Sequence, residues 1–473
     1  MEQTKPVKGG YQMDMVHGPL AGKLLLFALP LMFSSILQLL FNAADVVVVG
    51  RYAGKEALAA VGSTTSLINL LVNLFIGFSV GTNVVVARDL GAGREENVRA
   101  AVHTAVSIAL LSGVALTGLG VSLSRTLLVL TGSAPDVIDL AAIYLKIYFC
   151  GMPVNMLYNF GAAILRSEGD TRRPLYFLAI AGVTNVALNL LFVIVFQMSV
   201  AGVALATIIS QAVSALLVLG CLVKDQGPLH LDLRQLRLEK RVMVQILRVG
   251  LPAGFQSIVF SLSNVVIQSS INSFGSTAII AGSAASANIE GFVYTGMNAI
   301  YQTNLTFTSQ NYGAGQCKRV DRCLILCLSY VVAIGLVLGN LAVLFGEPLA
   351  SIYAPGEADV IAAAAARLRI ISGTYFLCGV MDVMVGSLRG LGYSMVPMVV
   401  SMVGACGVRL VWIATIFQVY HTPAMLYTSY PVSWTVTAAV HICFFFFIRK
   451  HAYAKSSGIH GISDGDKKTA KAA

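Results

Sequence analysis

The chain has 473 residues, of which 56% are hydrophobic and only 11% are charged. Soluble domains carry about 25% charged residues, so this composition excludes an ordinary soluble protein. The net charge of +10 does not indicate a nucleic-acid binder, because the basic residues are spread over many connections instead of one soluble face.

Apolar runs of about 20 residues recur along the whole length, and each can cross the hydrocarbon core as a helix. We predict an all-α integral membrane protein with twelve transmembrane helices, in two six-helix lobes related by a pseudo-two-fold axis along the membrane normal. The predicted helices cover residues 24–49, 57–87, 98–123, 138–165, 174–197, 199–223, 242–273, 277–309, 320–345, 360–388, 394–418 and 426–448.

Charge placement predicts the orientation and the domain organisation. Of the 32 Lys and Arg residues, 25 fall on the side of the two termini, so both termini are expected in the cytoplasm and the protein in the cytoplasmic membrane. The predicted parts are a cytoplasmic N-terminal segment (1–23), an N-lobe (24–223), a cytoplasmic linker (224–241), a C-lobe (242–448) and a disordered cytoplasmic tail (449–473).

Three landmarks occur twice and in the same order, which predicts an internal duplication. Their offsets are 222, 222 and 223 residues, and they are Leu29-Pro30 with Leu251-Pro252, the Gly-Ala-Gly turns 91–93 and 313–315, and Arg166 with Arg389, each eight residues before a proline. Six helices are an even number, so both halves should enter the membrane from the same side. Glycine in these turns is expected to allow positive φ.

Three acidic residues fall inside predicted helices, namely Asp45, Glu290 and Asp382. An ionisable side chain at the membrane centre costs about 2.5–3.5 kcal/mol on insertion scales and is by default a functional candidate. Asp45 shares a helix face with Gln38, Phe41 and Asn42. A carboxylate in this setting can bind a proton or a small cation, and the alternative is a helix-capping role.

Glu290 shares a face with Tyr294 and Asn298. Acidic and aromatic groups both attract cations, so this stripe is a candidate site for a cationic, partly apolar substrate, and helix–helix hydrogen bonding is the alternative. For Asp382 the alternative is a structural pair with Arg389, seven residues later.

Amide side chains also recur at helical spacing. Gln256, Asn264 and Gln268 lie on the predicted helix 242–273, and Asn185 and Asn189 lie one turn apart on 174–197. Such amides can line a polar cavity that binds substrate, or they can hold helices together.

No enzymatic or metal chemistry is indicated. The eight cysteines form no CxxC-type metal motif, and no HExxH motif occurs. We therefore expect a protein that is not an enzyme and has no cofactor beyond a coupling ion.

The ordered set of motifs resembles the multidrug and toxic compound extrusion (MATE) transporters, within a superfamily that includes lipid-linked oligosaccharide flippases. The resemblance covers about residues 14–448 and is closest to the bacterial DNA-damage-inducible protein F-like branch. It rests on Pro30 with Asn42-x-x-Asp45 and Val49-Gly50, the two Gly-Ala-Gly turns, Leu165–Thr171 with Pro174, Asn185, Gly202–Thr207, and Leu388–Gly392 with Pro397.

The resemblance implies a two-lobed exporter that alternates between inward- and outward-facing states and is driven by H⁺ or Na⁺. Asp45 and Asp382 match carboxylates implicated in cation coupling, and Na⁺ could bind at either, with Asn42, Asn185 and Asn189 beside Asp45. Relatives often carry a second acid one turn after the asparagine, where this chain has Asn189. That departure leaves the number and identity of the coupling ions open.

The predicted function is a monomeric secondary antiporter in the lipid bilayer that exports cationic, amphiphilic small molecules and binds no nucleic acid. The main alternatives are a flippase for a lipid-linked oligosaccharide and a narrow-specificity metabolite exporter. An integral-membrane enzyme would need a catalytic cluster near one interface, and a channel would need pore rings from an oligomer; the sequence indicates neither.

Overall fold

The computed structural model describes residues 11–131 and 135–469. Within these residues the secondary structure is helical, without a β-strand. The first ten residues of the predicted N-terminal segment and the last four of the predicted tail lie outside the described residues.

Seventeen α-helices follow one another along this part of the chain. They are α1 (Leu20–Val48), α2 (Lys55–Gly91), α3 (Glu95–Leu130), α4 (Pro135–Cys150), α5 (Met152–Ser167), α6 (Arg172–Leu190), α7 (Ser199–Val223), α8 (Lys240–Asn272), α9 (Thr277–Gly313), α10 (Cys317–Leu344), α11 (Gly346–Tyr353), α12 (Ala358–Ile371), α13 (Phe376–Gly390), α14 (Met395–Ser401), α15 (Val408–Ala414), α16 (Ile416–Val419) and α17 (Pro423–Thr469).

Two predicted helices are broken rather than continuous. The predicted helix 138–165 is α4 and α5, bent by 48°, and 360–388 is α12 and α13, bent by 43°. Pro153 follows the first break and has no N–H to continue the hydrogen-bond ladder. A tight turn over Ser372–Thr374 separates the second pair.

The apolar spans number nine in the described part of the chain, or eleven when each bent pair is one span. The remaining predicted span is α9, whose 37 residues are long enough to cross a membrane. The buried side chains of α9 between Ser283 and Asn311 include Ser, Thr, Asn, Gln and Glu. This polarity is tolerated because α9 packs among α1, α2, α10, α12 and α13 and not mainly against lipid.

The last helix is longer than the predicted final span. α17 continues through Thr469, well past the predicted end of the last span at residue 448. A helix that is already formed gains one hydrogen bond for each residue it adds, so extension does not repeat the cost of nucleation.

α1 and α8 each contact both halves of the molecule. The first part of α1 packs on the C-terminal half, where the rings of Phe27 and Phe307 meet edge to face at 5.4 Å. Its last part packs on α6, where Phe41 lies over Gly182. α8 packs along α2 through glycines on both helices, including Gly81 and Gly250, which let the two backbones approach closely.

The two Gly-Ala-Gly turns meet each other at one end of this packing. We call this end, which carries residues 11–19 and the α7–α8 connection, the inner side. A Cβ on Gly91 would collide with the carbonyl oxygen of Gln310, and a Cβ on Gly313 would collide with that of Arg88. The last glycines, Gly93 and Gly315, have φ of 65° and 71°. Only the last glycine of each turn therefore provides the predicted positive φ, whereas the first permits close approach.

Candidate functional site

A cavity of about 210 Å³ lies between α1, α5, α6 and α7. The α1 face predicted from the sequence lines it, with Gln38, Phe41, Asn42 and Asp45. α6 contributes Asn185 from the opposite wall. The structure thus brings the candidate coupling residues of the N-terminal half to one place.

Asp45 is held by a hydrogen bond from α6. The side-chain amide of Asn189 donates to the Asp45 carboxylate over 2.5 Å, and its nitrogen also lies 3.3 Å from the Asn185 amide oxygen. Asn189 is completely buried, and its own amide oxygen has no hydrogen-bond partner. Asn185 lies beside Asn189 because the two residues are one turn apart on α6.

Both helices change from α-helical to π-helical geometry directly after this pair. α1 continues into a π-helical turn over Val49–Ala53, and α6 does so over Leu191–Val195. The two turns contact each other. Such turns occur frequently at functional sites, since they change the direction of the following helix face.

The Asp45–Asn189 pair can respond to a proton or to a cation. An ionised carboxylate accepts from the amide N–H, whereas a protonated one can donate to the amide oxygen after the amide rotates. Carboxylate and amide oxygens are also suitable ligands for a hard cation. Among the described residues no group of three or more His, Cys, Asp or Glu side chains could hold a metal ion.

In the C-terminal half, Asp382 lies on α13 and is partly buried. It accepts a hydrogen bond from Tyr294 of α9, which also bonds Asn298. The Tyr294 ring stacks on Tyr375 at 6.3 Å, and Tyr375 stacks on Trp434 at 5.3 Å. Three candidate residues therefore meet in an aromatic setting that supports cation binding.

Glu290 is not a free carboxylate. It forms a buried bidentate pair with Arg367 of α12, with N···O distances of 3.0 and 3.1 Å, and it accepts from Ser286 at 2.7 Å. Arg367 and Glu290 are each only 6% exposed. This arrangement favours the helix–helix alternative, because both carboxylate oxygens are already occupied.

The α8 amides fall into two environments. Gln256 is buried and accepts from Arg389 at 2.7 Å, whereas Asn264 and Gln268 are exposed. Arg389 also donates to the Tyr301 hydroxyl at 2.7 Å. In the described structure Arg389 therefore bonds to these neutral partners and not to Asp382 as an ion pair.

Comparison with known proteins gives the family. The sequence model of the MatE family matches residues 30–191 and 252–415, which is more than half of the chain. The chain belongs to the MatE family. The two matched segments begin 222 residues apart, at 30 and 252, which confirms the internal duplication predicted from the repeated motifs.

Relatives and solved structures agree with this membership. The chain is 29% identical over 434 residues to a probable multidrug resistance protein, YoeA of Bacillus subtilis, covering 90% of this chain and 93% of that protein. It is 25% identical over 348 residues to an FAD transporter of Shewanella oneidensis, covering 72% and 75%. A solved outward-facing multidrug resistance MATE family transporter matches with a TM-score of 0.87 and 22% identity, over 94% and 99% of the two chains.

Family membership and relatives together identify a multi-pass membrane transporter of small molecules. The twelve-helix, two-lobed MatE fold predicted from the sequence is confirmed by the likeness to solved MATE structures.

The sequence did not identify several residues that line the cavity between α1, α5, α6 and α7. Asn155, Tyr158 and Asn159 of α5 and Gln211 of α7 line it. The i, i+4 spacing of the two asparagines is the same signal that identified Asn185 and Asn189. In the C-terminal half, Trp434 was also missed, and it has no local signal because aromatic residues are common in membrane helices.

The two halves of this MatE chain are in contact at the inner side. Thr306 donates to Asn83 over 3.0 Å, and Gln310 donates to the Ser167 carbonyl over 3.2 Å. Together with the reciprocal approach of Gly91 and Gly313, these contacts close the inner end between the halves. The structure therefore represents a state that is sealed on the inner side.

Proposed function

We propose that the protein is a secondary antiporter of the cytoplasmic membrane that exports organic cations and drugs in exchange for H⁺ or Na⁺. Both termini lie in the cytoplasm and the working unit is a monomer. The observation that carries the proposal is the Asp45–Asn189 pair beside the cavity between α1, α5, α6 and α7.

Coupling requires a group whose ligand state differs between two conformations. Asp45 supplies the exchangeable charge, and Asn189 supplies a donor or an acceptor according to whether Asp45 is ionised. The unpartnered Asn189 oxygen supports this role, because a buried amide oxygen without a partner is costly unless a ligand satisfies it. Na⁺ in place of a proton would use the same oxygens.

Alternating access follows from the position of the inner contacts. With the inner side sealed, an ion reaches Asp45 from the outer side, and binding removes the buried charge. Transition to the opposite state then separates Gly91 from α9 and Gly313 from α2. Each charge that moves inward through 100 mV provides about 2.3 kcal/mol, enough for roughly fifty-fold accumulation of substrate.

The cavity lining supports a permissive substrate range. Phe41 and Tyr158 provide aromatic surface, Asp45 provides the negative charge, and amides provide adaptable hydrogen bonds. Aromatic faces and carboxylates attract organic cations without requiring one fixed geometry.

A narrow-specificity metabolite exporter is the second candidate, and one observation favours it. Most polar groups in the cavity wall are neutral amides, contributed by Gln38, Asn42, Asn155, Asn159, Asn185 and Gln211. Amides can pair with a heterocycle such as that of the flavin nucleotide carried by the Shewanella relative.

The experiment is ethidium efflux from energised, pump-deficient bacterial cells that express the wild-type chain or Asp45→Asn. Each is assayed with and without Na⁺ and with a protonophore. Asp139→Asn is the matched control, since Asp139 is an exposed acid paired with Arg125 away from the cavity. Loss of efflux in Asp45→Asn but not in Asp139→Asn supports antiport, and the condition that stops wild-type efflux identifies the ion. Equal efflux in both variants would remove Asp45 from coupling, and no efflux of any tested cation by membrane-inserted protein would favour the metabolite exporter.

A further inference from the structure

A second cavity lies at the inner end of the interface between the halves, and transport as proposed above makes no use of it. Its volume is about 520 Å³. One wall is the end of α2 and the following turn, with Arg88, Ala92 and Arg94. The other wall comes from α8, the end of α9 and the α13–α14 turn, with Arg248, Tyr312 and Tyr393 among its residues.

The walls of this inner cavity are strongly basic. Arg88 is half-buried, and Arg94 and Arg248 are exposed. One acid is close, because Asp89 lies 3.9 Å from Arg94, but it is buried and is not part of the wall. The hydrogen bond that the structure shows for the Arg88 guanidinium goes to a neutral acceptor, the Gln245 amide oxygen, at 3.3 Å. Three guanidinium groups thus face a space whose wall includes no carboxylate.

The arginines come from both halves of the molecule. Arg88 and Arg94 belong to the N-terminal half, and Arg248 belongs to α8 of the C-terminal half. The Arg88 side chain reaches across the interface, since its Nη1 lies 3.9 Å from the position of a Cβ on Gly392. A ligand that engaged all three arginines would therefore bridge the halves.

We propose that this inner cavity binds a phosphate-bearing anion, either the headgroup of an anionic lipid or a free phosphate ester. Planar guanidinium groups recognise phosphate oxygens through paired, charge-assisted hydrogen bonds. Basic pockets between helices at an inner membrane surface suit such headgroups. Phosphate supplies several acceptor oxygens on one small centre, which fits donors that converge from two walls.

The consequence for transport follows from linkage. The cavity is complete only while the inner side is sealed, so the anion binds this state more tightly than a state in which the halves separate. Binding then shifts the population toward the sealed state and slows the transition to the state that is open on the inner side. The anion is thus a negative regulator that binds at a site separate from the Asp45 cavity.

The test uses the purified full-length protein in nanodiscs and amide hydrogen exchange read by mass spectrometry. One arm adds pyrophosphate to phosphatidylcholine discs, and the other replaces part of the lipid with phosphatidic acid. We expect slower exchange at residues 91–94 and 391–395, on the two walls of the cavity. Protection by pyrophosphate shows that a soluble phosphate group is sufficient, and protection by phosphatidic acid alone identifies a lipid headgroup.

Three variants separate this site from general surface charge. Arg248→Gln and Arg88→Gln should each weaken binding of the protecting anion about tenfold, because each removes charged hydrogen bonds. Arg322→Gln is the matched control, since Arg322 is exposed near the inner start of α10 and does not line the cavity. Arg248→Gln changes an exposed residue, which keeps the test valid if Arg88→Gln fails to fold. Absence of protection in both arms, or an equal loss in all three variants, would overturn the proposal.

Discussion

The side-chain amide of Asn189 donates a hydrogen bond to the Asp45 carboxylate over 2.5 Å. The lining of this cavity includes one carboxylate, and the amide holds that carboxylate in place. The pair also fixes how α1 meets α6, because Phe41, one turn before Asp45, packs over Gly182.

Moving the carboxylate across this hydrogen bond should preserve part of the function. We expect Asp45→Asn to reduce ethidium efflux to background and the double variant Asp45→Asn/Asn189→Asp to recover a measurable part of it. The acid and the amide exchange places over only 2.5 Å, so the site keeps one charge and one amide. Asp45→Asn/Asn159→Asp is the control, because it places an acid elsewhere in the same cavity wall. Equal recovery by both double variants would show that position 189 has no special role.

The Glu290–Arg367 pair should matter for stability more than for transport. Glu290→Gln should lower the free energy of unfolding by about 3–5 kcal/mol, because it leaves Arg367 as an uncompensated buried charge. Glu290→Leu/Arg367→Met should regain most of this loss, since neither charge remains. Thermal unfolding of purified protein measures both effects.

The same double variant decides whether Glu290 binds substrate. Efflux by Glu290→Leu/Arg367→Met at wild-type level, normalised to protein in the membrane, is the expected result. A stable double variant that no longer transports would instead support Glu290 as a carboxylate that binds substrate.

Gly313→Ala should destabilise the state that is sealed on the inner side. The added Cβ would overlap the Arg88 carbonyl, and overpacking of this kind costs about 1–3 kcal/mol. Gly62→Ala on α2 is the control, because open space surrounds its Cβ position. Amide exchange at residues 313–316 should become faster in Gly313→Ala only, and unchanged exchange would contradict this account of the motif.

The α5–α6 connection should make stability depend on pH. Burial and the nearby Asp225 raise the pKa of Glu168 to about 7, and the arginine at 173 and a hydrogen bond from Gln12 oppose the shift. A carboxyl whose pKa is raised in the folded protein stabilises it fully below about pH 4.5, and this contribution is lost as the pH rises through about 7.

Glu168→Gln should therefore flatten the decrease in stability between pH 5 and 8, a range that brackets the shifted pKa of about 7. Thermal unfolding across this range measures the effect. Glu239→Gln is a suitable control, because Glu239 is an acid on the same side, in the α7–α8 connection. A wild-type and a Glu168→Gln profile with the same slope would refute the assignment.

The fold was largely predictable because its main determinants are local. Apolar runs give the spans, and the repeated motifs give the duplication. The bends before Met152 and Phe376 were not predicted, since a single Pro153 or Gly373 is compatible with either a straight or a broken span. α1 and α8 each contact both halves because of how the helices pack, and no local sequence pattern predicts these contacts.

The site was predictable only in part, for a related reason. A carboxylate such as Asp45 stands out inside an apolar helix, so position alone identifies it. The partner of Glu290 lies 77 residues away, and nothing in the sequence near either residue shows that they meet. Mid-membrane acids are therefore readily found from sequence, whereas the distinction between a binding group and a neutralised one requires the structure.

The reciprocal contact of Gly91 and Gly313 has the geometry of an isologous interface, the kind that joins two identical subunits in a symmetric dimer. Each half presents the same turn and receives the same turn from the other. A rotation that lifts one glycine off its partner backbone must lift the other at the same moment, so neither contact has a half-open form. The inner closure should therefore behave as a single switch with two positions, although it is built within one polypeptide.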